Sequence, residues 1–376
     1  MPRRVSTGIK QSIKKLRRRL KKQPMLVPAA LLALGGVTAL ALVIWVSPVT
    51  PKPVALGKIS DVCAKNQTVT YGCYKDELTK IVKEQGPDQA FALLKQQYTA
   101  VPYVKSQCHQ LTHVVGRSSL DKYGNLSDTY AHGDQFCWSG FYHGVMEQLI
   151  NEKGYDYTVK NADSICAPMA AKSRYSFYHY NCVHGLGHGF MFALKQEMFD
   201  SLTACESLSD SWERTSCYGG VFMQNIMDVQ SPDEEAGHTS KFLKVDDPMY
   251  PCNAIDTKYK GQCYLMQTSY ALQVENYDFA KVFSLCSQIE PDFKNTCFQS
   301  LGRDASGQSI SNAAKTKASC MLGADYNAQV NCIVGAAKDF VAYFHSDAQA
   351  KGLCDILNAE LQPVCYSTVK SYYSTF

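Results

Sequence analysis

The chain has 376 residues, 38 Lys or Arg against 34 Asp or Glu, a formal net charge of +4 and 45% hydrophobic residues. That length buries a sizeable core, in one large domain or a repeat array. The positive sign is local, because ten basic residues and no acid lie in the first 22 positions, and without them 28 basic residues face 34 acidic ones, a balance of −6. No basic and aromatic groove pattern follows, so nucleic acid is excluded as a partner.

Residues 1–24 read as a basic cytoplasmic tail, a topology signal that also offers contact to anionic lipid. From Gln23 to Pro51 there is no charge, and "LVPAALLALGGVTALALVIWV" provides 21 residues within 25–47. This is long enough to cross a bilayer and longer than the usual core of a cleaved signal, so it predicts an uncleaved signal anchor. The expected arrangement is a single-pass membrane protein. Its N-terminus is cytoplasmic, residues 48–60 form a linker, and the C-terminal domain is periplasmic, extracellular or lumenal. The outer part is expected to be monomeric.

All sixteen cysteines lie between Cys63 and Cys365. An even count in an exported domain predicts disulfides. With no C-x-x-C in the sequence, thioredoxin-type redox, zinc-ribbon and c-type haem attachment are excluded. Neighbouring cysteines pair naturally as Cys166–Cys182, Cys205–Cys217, Cys252–Cys263, Cys286–Cys297, Cys320–Cys332 and Cys354–Cys365, and Cys63–Cys73 fits as a further pair. Cys108 and Cys137 both open an inner-type helix. They bridge neighbouring helices or, in a second reading, are free metal-binding thiols.

The second cysteines fall at 182, 217, 263, 297, 332 and 365, in steps near 34 except for one of 46. A period near 34 means helix–turn–helix repeats. The reading is all-α, αα-hairpin repeats in a solenoid or toroid: His-rich repeats over 61–229, an acidic loop over 230–250, and C-terminal repeats over 251–376. "DFAKVFSLCSQIE", Pro291 and "DFKNTCFQSLGRDA" read as helix, break, helix, and "NAQVNCIVGAAKDFVAYF" as another helix. In period and hairpin form the chain resembles tetratricopeptide-like repeats over roughly 60–376. In that family small residues about twelve apart meet where the two helices touch. The resemblance therefore implies cysteines that bridge each hairpin.

Three successive inner helices each carry an i,i+4 pair: His109 and His113 in "CHQLTHVVG", His143 and Glu147 in "CWSGFYHGVMEQ", His184 and His188 in "CVHGLGHG". Residues four apart on a helix share one face. Five imidazoles and a carboxylate on adjacent helices can fill a dinuclear site, or a mononuclear site with supporting partners. Iron or zinc is expected, ahead of copper and manganese. Glu147 is either a ligand or a general base beside a metal-bound water. The fourth helix carries Met223 and Met227 at the matching offsets, with Gln224 and Asn225 as pocket-wall residues. Gly116, Gly140, Gly144, Gly185, Gly187 and Gly189 are expected to let helix backbones approach closely. His132, His179, His238 and His345 lack such partners and read as structural or exposed. "CVHGLGHG" also resembles the glycine-rich inner helices of lanthionine cyclases, which implies inner helices facing a cavity.

These observations point to a metal-dependent hydrolase or oxygenase. The alternatives are a stapled repeat scaffold that binds a peptide or protein at the cell surface, and metal or haem capture without catalysis.

Overall fold

The computed structural model describes residues 61–230, 240–309 and 311–375; the tail, the predicted anchor at 25–47 and the linker lie outside the described residues, as does 231–239 of the acidic loop. Among the described residues there are nineteen helices and no strand. None of these helices is long and apolar enough to cross a membrane.

The first helices are α1 (Val62–Lys65), α2 (Tyr71–Gln85), α3 (Pro87–Gln97) and α4 (Pro102–Ser106). The site-bearing region follows with α5 (Cys108–Tyr123), α6 (Leu126–Ala131), α7 (Gly140–Lys153), α8 (Tyr155–Lys160), α9 (Ala162–Lys172), α10 (Phe177–Ala193), α11 (Met198–Cys205) and α12 (Ser211–Gln230). Beyond it are α13 (Thr257–Val274), α14 (Phe279–Gln288), α15 (Pro291–Gln308), α16 (Ala313–Cys320), α17 (Tyr326–Phe344), α18 (Ala348–Asp355) and α19 (Gln362–Tyr373).

Local chemistry sets these boundaries. Pro87, Pro102 and Pro291 occupy the first helical turn, where a missing N–H costs nothing. Thr70, Asp278, Asn312 and Asp325 accept a backbone N–H at helix starts. The break at Pro291 separates α14 from α15 as the sequence predicts.

The long helices stack in chain order: α2 on α5, then α7, α10, α12, α13, α15, α17 and α19. A short helix precedes most of them, and a disulfide ties the two. Cys166–Cys182 joins α9 to α10, Cys205–Cys217 joins α11 to α12, and Cys286–Cys297 joins α14 to α15. Cys320–Cys332 joins α16 to α17 and Cys354–Cys365 joins α18 to α19, while Cys252 reaches α13 at Cys263 from a turn. Cys63–Cys73 links α1 to α2. In the chain-entropy model, loops of this length stabilise by roughly 3 kcal/mol each.

Cys108 is bonded to Cys137, so the free-thiol alternative for this pair does not hold. Their bridge joins the start of α5 to the turn before α7. With eight disulfides and no free cysteine, the described part is extracytoplasmic in character.

The glycines expected to permit close packing do so. A Cβ at Gly116 would lie 2.0 Å from the Phe141 carbonyl oxygen, and one at Gly144 would lie 2.1 Å from that of His113. These contacts bring α5 and α7 together. At Gly187 the obstacle is the Cys217 carbonyl at 2.1 Å, which brings α10 and α12 together. Gly140 faces the His109 carbonyl, whereas Gly185 and Gly189 meet the side chains of Met146 and Ile150.

Candidate metal centre

α5, α7 and α10 are the three consecutive members of the stack that carry the histidine pairs. The glycine contacts set their spacing, and the paired faces point inward. His109, His113, His143, Glu147, His184 and His188 are all at most 4% exposed. Three sets of donors can each hold a metal ion: His109, His113 and His143; His143, His184 and His188; and His113, Glu147 and His188. In each set the donor atoms lie within 4.8 Å of one another.

The hydrogen bonds decide which ring nitrogens are open. His109 Nδ1 lies 2.9 Å from the Cys137 carbonyl, which can only accept, so Nδ1 carries the proton. His113 Nδ1 lies 2.9 Å from Glu147 Oε1 and donates to that carboxylate. His188 Nδ1 donates to Gln224 Oε1 at 2.7 Å. His184 Nδ1 is 3.0 Å from the Tyr180 hydroxyl, and with that oxygen accepting it follows the same rule.

His109, His113 and His188 therefore each turn a bare Nε2 toward the centre, and His184 does the same when the Tyr180 hydroxyl accepts. His109 Nε2 and His113 Nε2 are 2.9 Å apart, and His184 Nε2 and His188 Nε2 are 3.3 Å apart. Two lone pairs at such distances repel unless a proton or a cation lies between them. A proton is disfavoured, because burial and then the neighbouring His113 push His109 down to about 3, and burial likewise takes His184 to about 3. Burial and the other histidines hold His143 and His188 well below their ordinary value. Histidines anchored at one nitrogen by an oxygen acceptor and bare at the other have the form of metal ligands.

His143 differs. Its ring stacks on that of His188 at 4.2 Å, and its buried Nδ1 has no hydrogen-bond partner. An unsatisfied buried polar atom costs about 1–3 kcal/mol, a cost that binding to a cation would remove.

Both oxygens of Glu147 are engaged, Oε1 by His113 and Oε2 by Arg117 Nη1 at 2.6 Å. Burial pushes this carboxyl up, but His113 and Arg117 together outweigh it and hold Glu147 ionised, well below the usual range.

The acceptor for His109 comes from an unusual backbone. Cys137, Trp138 and Ser139 have φ of 57°, 54° and 63°, a run of left-handed residues none of which is glycine. Such a conformation costs about 1–2 kcal/mol per residue. It is held between α7 and the Cys108–Cys137 bridge, and it delivers the Cys137 carbonyl to the site. Strain of this kind clusters at functional positions.

Sequence reasoning brought the five histidines, Glu147 and Gln224 to this place. It did not find Arg117 or the Cys137 carbonyl, whose roles depend on contacts between helices, and it placed Tyr180 only among the aromatic residues beside the cluster. Asn225 bonds Ser240 and is not among the partners of the histidines. His179 is buried against Glu213 at 2.9 Å, His132 stacks on Tyr123, and His345 packs on Phe177; all three are structural. His238 lies outside the described residues.

Compared with family models, curated proteins and solved structures, the chain has no match.

Proposed function

We propose that this chain is a membrane-anchored, extracytoplasmic metalloprotein in which His109, His113, His143, His184 and His188 bind one or two ions. The observation that carries this reading is the two close Nε2–Nε2 approaches, 2.9 Å between His109 and His113 and 3.3 Å between His184 and His188, in rings whose Nδ1 atoms each meet an oxygen. Metal removes the repulsion between their lone pairs and the desolvation cost of His143 Nδ1.

Oxidation chemistry is favoured over hydrolysis. With both oxygens held, Glu147 positions His113 and does not act as a free base. The burial of the rings admits a molecule the size of dioxygen more readily than a polymeric substrate. The anchor at 25–47 holds the outer domain, as a monomer, at the membrane surface.

Full-length protein purified in detergent should carry metal by elemental mass spectrometry. His184→Ala or His188→Ala should lose most of it with helicity and disulfides intact, and His345→Ala should keep it. A metal-free chain after aerobic and anaerobic preparation, even with supplementation, would leave the peptide- or protein-binding scaffold as the reading.

A further inference from the structure

Met223 stands on α12, one helix beyond the last histidine pair. Its Sδ lies 3.4 Å from His184 Nε2, which in turn is 3.3 Å from His188 Nε2. In a tetrahedral site with bonds of roughly 2.1 Å, donor atoms sit about 3.4 Å apart. His184 is therefore at tetrahedral spacing from both the second imidazole and the thioether. His143 belongs to the same donor group as His184 and His188.

The donors on hand also favour one kind of ion. Every cysteine is in a disulfide, so a thiolate zinc site and an iron–sulfur cluster are excluded, and zinc would have to rely on the imidazoles alone. The one carboxylate is held by His113 and Arg117, which withdraws the hard donor that non-haem iron or manganese would use. Imidazoles with a thioether remain, and a soft thioether selects copper, above all copper(I). Four-coordinate N₃S geometry suits that ion without requiring an open position.

We infer that His143, His184, His188 and Met223 form a copper site with Met223 Sδ as its fourth ligand, leaving His109 and His113 for a second ion or for support. This rests on the proposed metal centre and adds to it the identity of the ion and a ligand outside the histidine set. Gln224, next to Met223, already orients His188. One turn of α12 thus supplies both a ligand and the partner of another ligand.

The test uses full-length protein in detergent, with ascorbate and not a thiol as reductant so that the disulfides survive. Copper(I) is titrated against a chromophoric copper(I) chelator, and zinc(II) and cobalt(II) are titrated separately. Met223→Leu should weaken copper(I) about tenfold or more, with little change for zinc or cobalt. Copper X-ray absorption should show one sulfur neighbour, absent in the variant. Retained helicity and His184→Ala measured alongside separate a ligand effect from misfolding. Copper bound with no sulfur neighbour and unchanged by Met223→Leu would overturn the assignment while leaving a metal centre. Zinc or cobalt bound more tightly than copper(I) would also overturn it. Failure of copper(I), zinc(II), cobalt(II) and, in an anaerobic titration, iron(II) and manganese(II) to bind would remove both this inference and the metal centre.

Discussion

At the residue scale, Glu147 shows what a helix pattern can and cannot tell. Its i,i+4 spacing from His143 placed it on the right face, but its polar partners are His113 and Arg117 on α5. Those contacts depend on the register between α5 and α7, and no spacing within one helix reports that register. Glu147→Gln can keep an acceptor for His113 Nδ1 only by turning its amide NH2, a donor, toward Arg117. Competition against a metal chelator should show affinity falling roughly 10–100-fold. Unchanged affinity would show that the carboxylate does not tune His113. Asp339 is a second informative residue. Burial pushes it up from 3.8 to about 6, only partly offset by the Ser306 hydroxyl and Arg303, and its Oδ2 has no hydrogen-bond partner. A raised folded-state pKa means that the native state holds the proton longer than the unfolded chain. Asp339 therefore costs stability increasingly as pH rises from about 4 to 6, to a total of about 3 kcal/mol. The buried histidines, with lowered values, slope the other way, losing stability as pH falls below about 6.5. Comparing two proteins cancels that background. Asp339→Asn should match the parent near pH 4 in urea unfolding and exceed it by about 1–3 kcal/mol at pH 7. An equal difference at both values would show that Asp339 does not titrate there.

At the element scale, glycine decides how near two helices come. A Cβ at Gly144 would meet the backbone oxygen of His113 at 2.1 Å, so α7 would have to move off α5 and carry His143 away from His113. Overpacking costs about 1–3 kcal/mol and sometimes more, and a backbone obstacle belongs at the upper end. Gly144→Ala should lose about 3 kcal/mol in urea unfolding and weaken metal binding as well. Gly261, inside α13, has open space where a Cβ would go. Gly261→Ala should therefore gain up to about 1 kcal/mol from helix propensity. A similar loss in both would refute the packing account. The six glycines beside histidines were legible because they stood out against a costly helix pattern. Gly302 and Gly335 make equally close contacts, at 1.9 Å to the Cys332 carbonyl and 1.8 Å to that of Gln299. They were passed over because no histidine marks that helix pair. Close approach is thus a property of α15 and α17 as well as of the site, and the histidines occupy one stretch of it. Counted from the preceding cysteine, His109 and His113 fall 1 and 5 residues on, whereas His184 and His188 fall 2 and 6 residues on. Cys108 is the first residue of α5, whereas Cys182 lies inside α10, so offsets counted from cysteines do not align the helices.

At the scale of the whole molecule, local staples coexist with contacts between distant parts of the chain. Every disulfide spans 10 to 29 residues, so none holds distant helices together. The spacing of cysteines made these neighbour bridges readable, but nothing in the spacing showed that the stack folds back on itself. It does so through ring contacts and a backbone hydrogen bond. The Phe177 ring lies 4.6 Å from the His345 ring, the Phe177 N–H donates to the Thr375 carbonyl at 3.4 Å, and Trp138 packs against Gly307. Phe177 opens α10, which carries His184 and His188. A linear stack behaves as a sum of nearest-neighbour terms, so loss of an end would loosen only the adjoining unit. Deleting residues 348–376 removes α18 and α19 with both members of the Cys354–Cys365 pair, and so leaves no unpaired thiol. Hydrogen exchange should then quicken in α17, which loses its neighbour, and also at the start of α10, which loses the Thr375 contact. Tyr180 lies in that first turn and touches His184 Nδ1, so metal affinity should fall with it. Faster exchange confined to α17, with metal binding intact, would show that the array acts as an open chain of neighbours and that its curvature does not support the site.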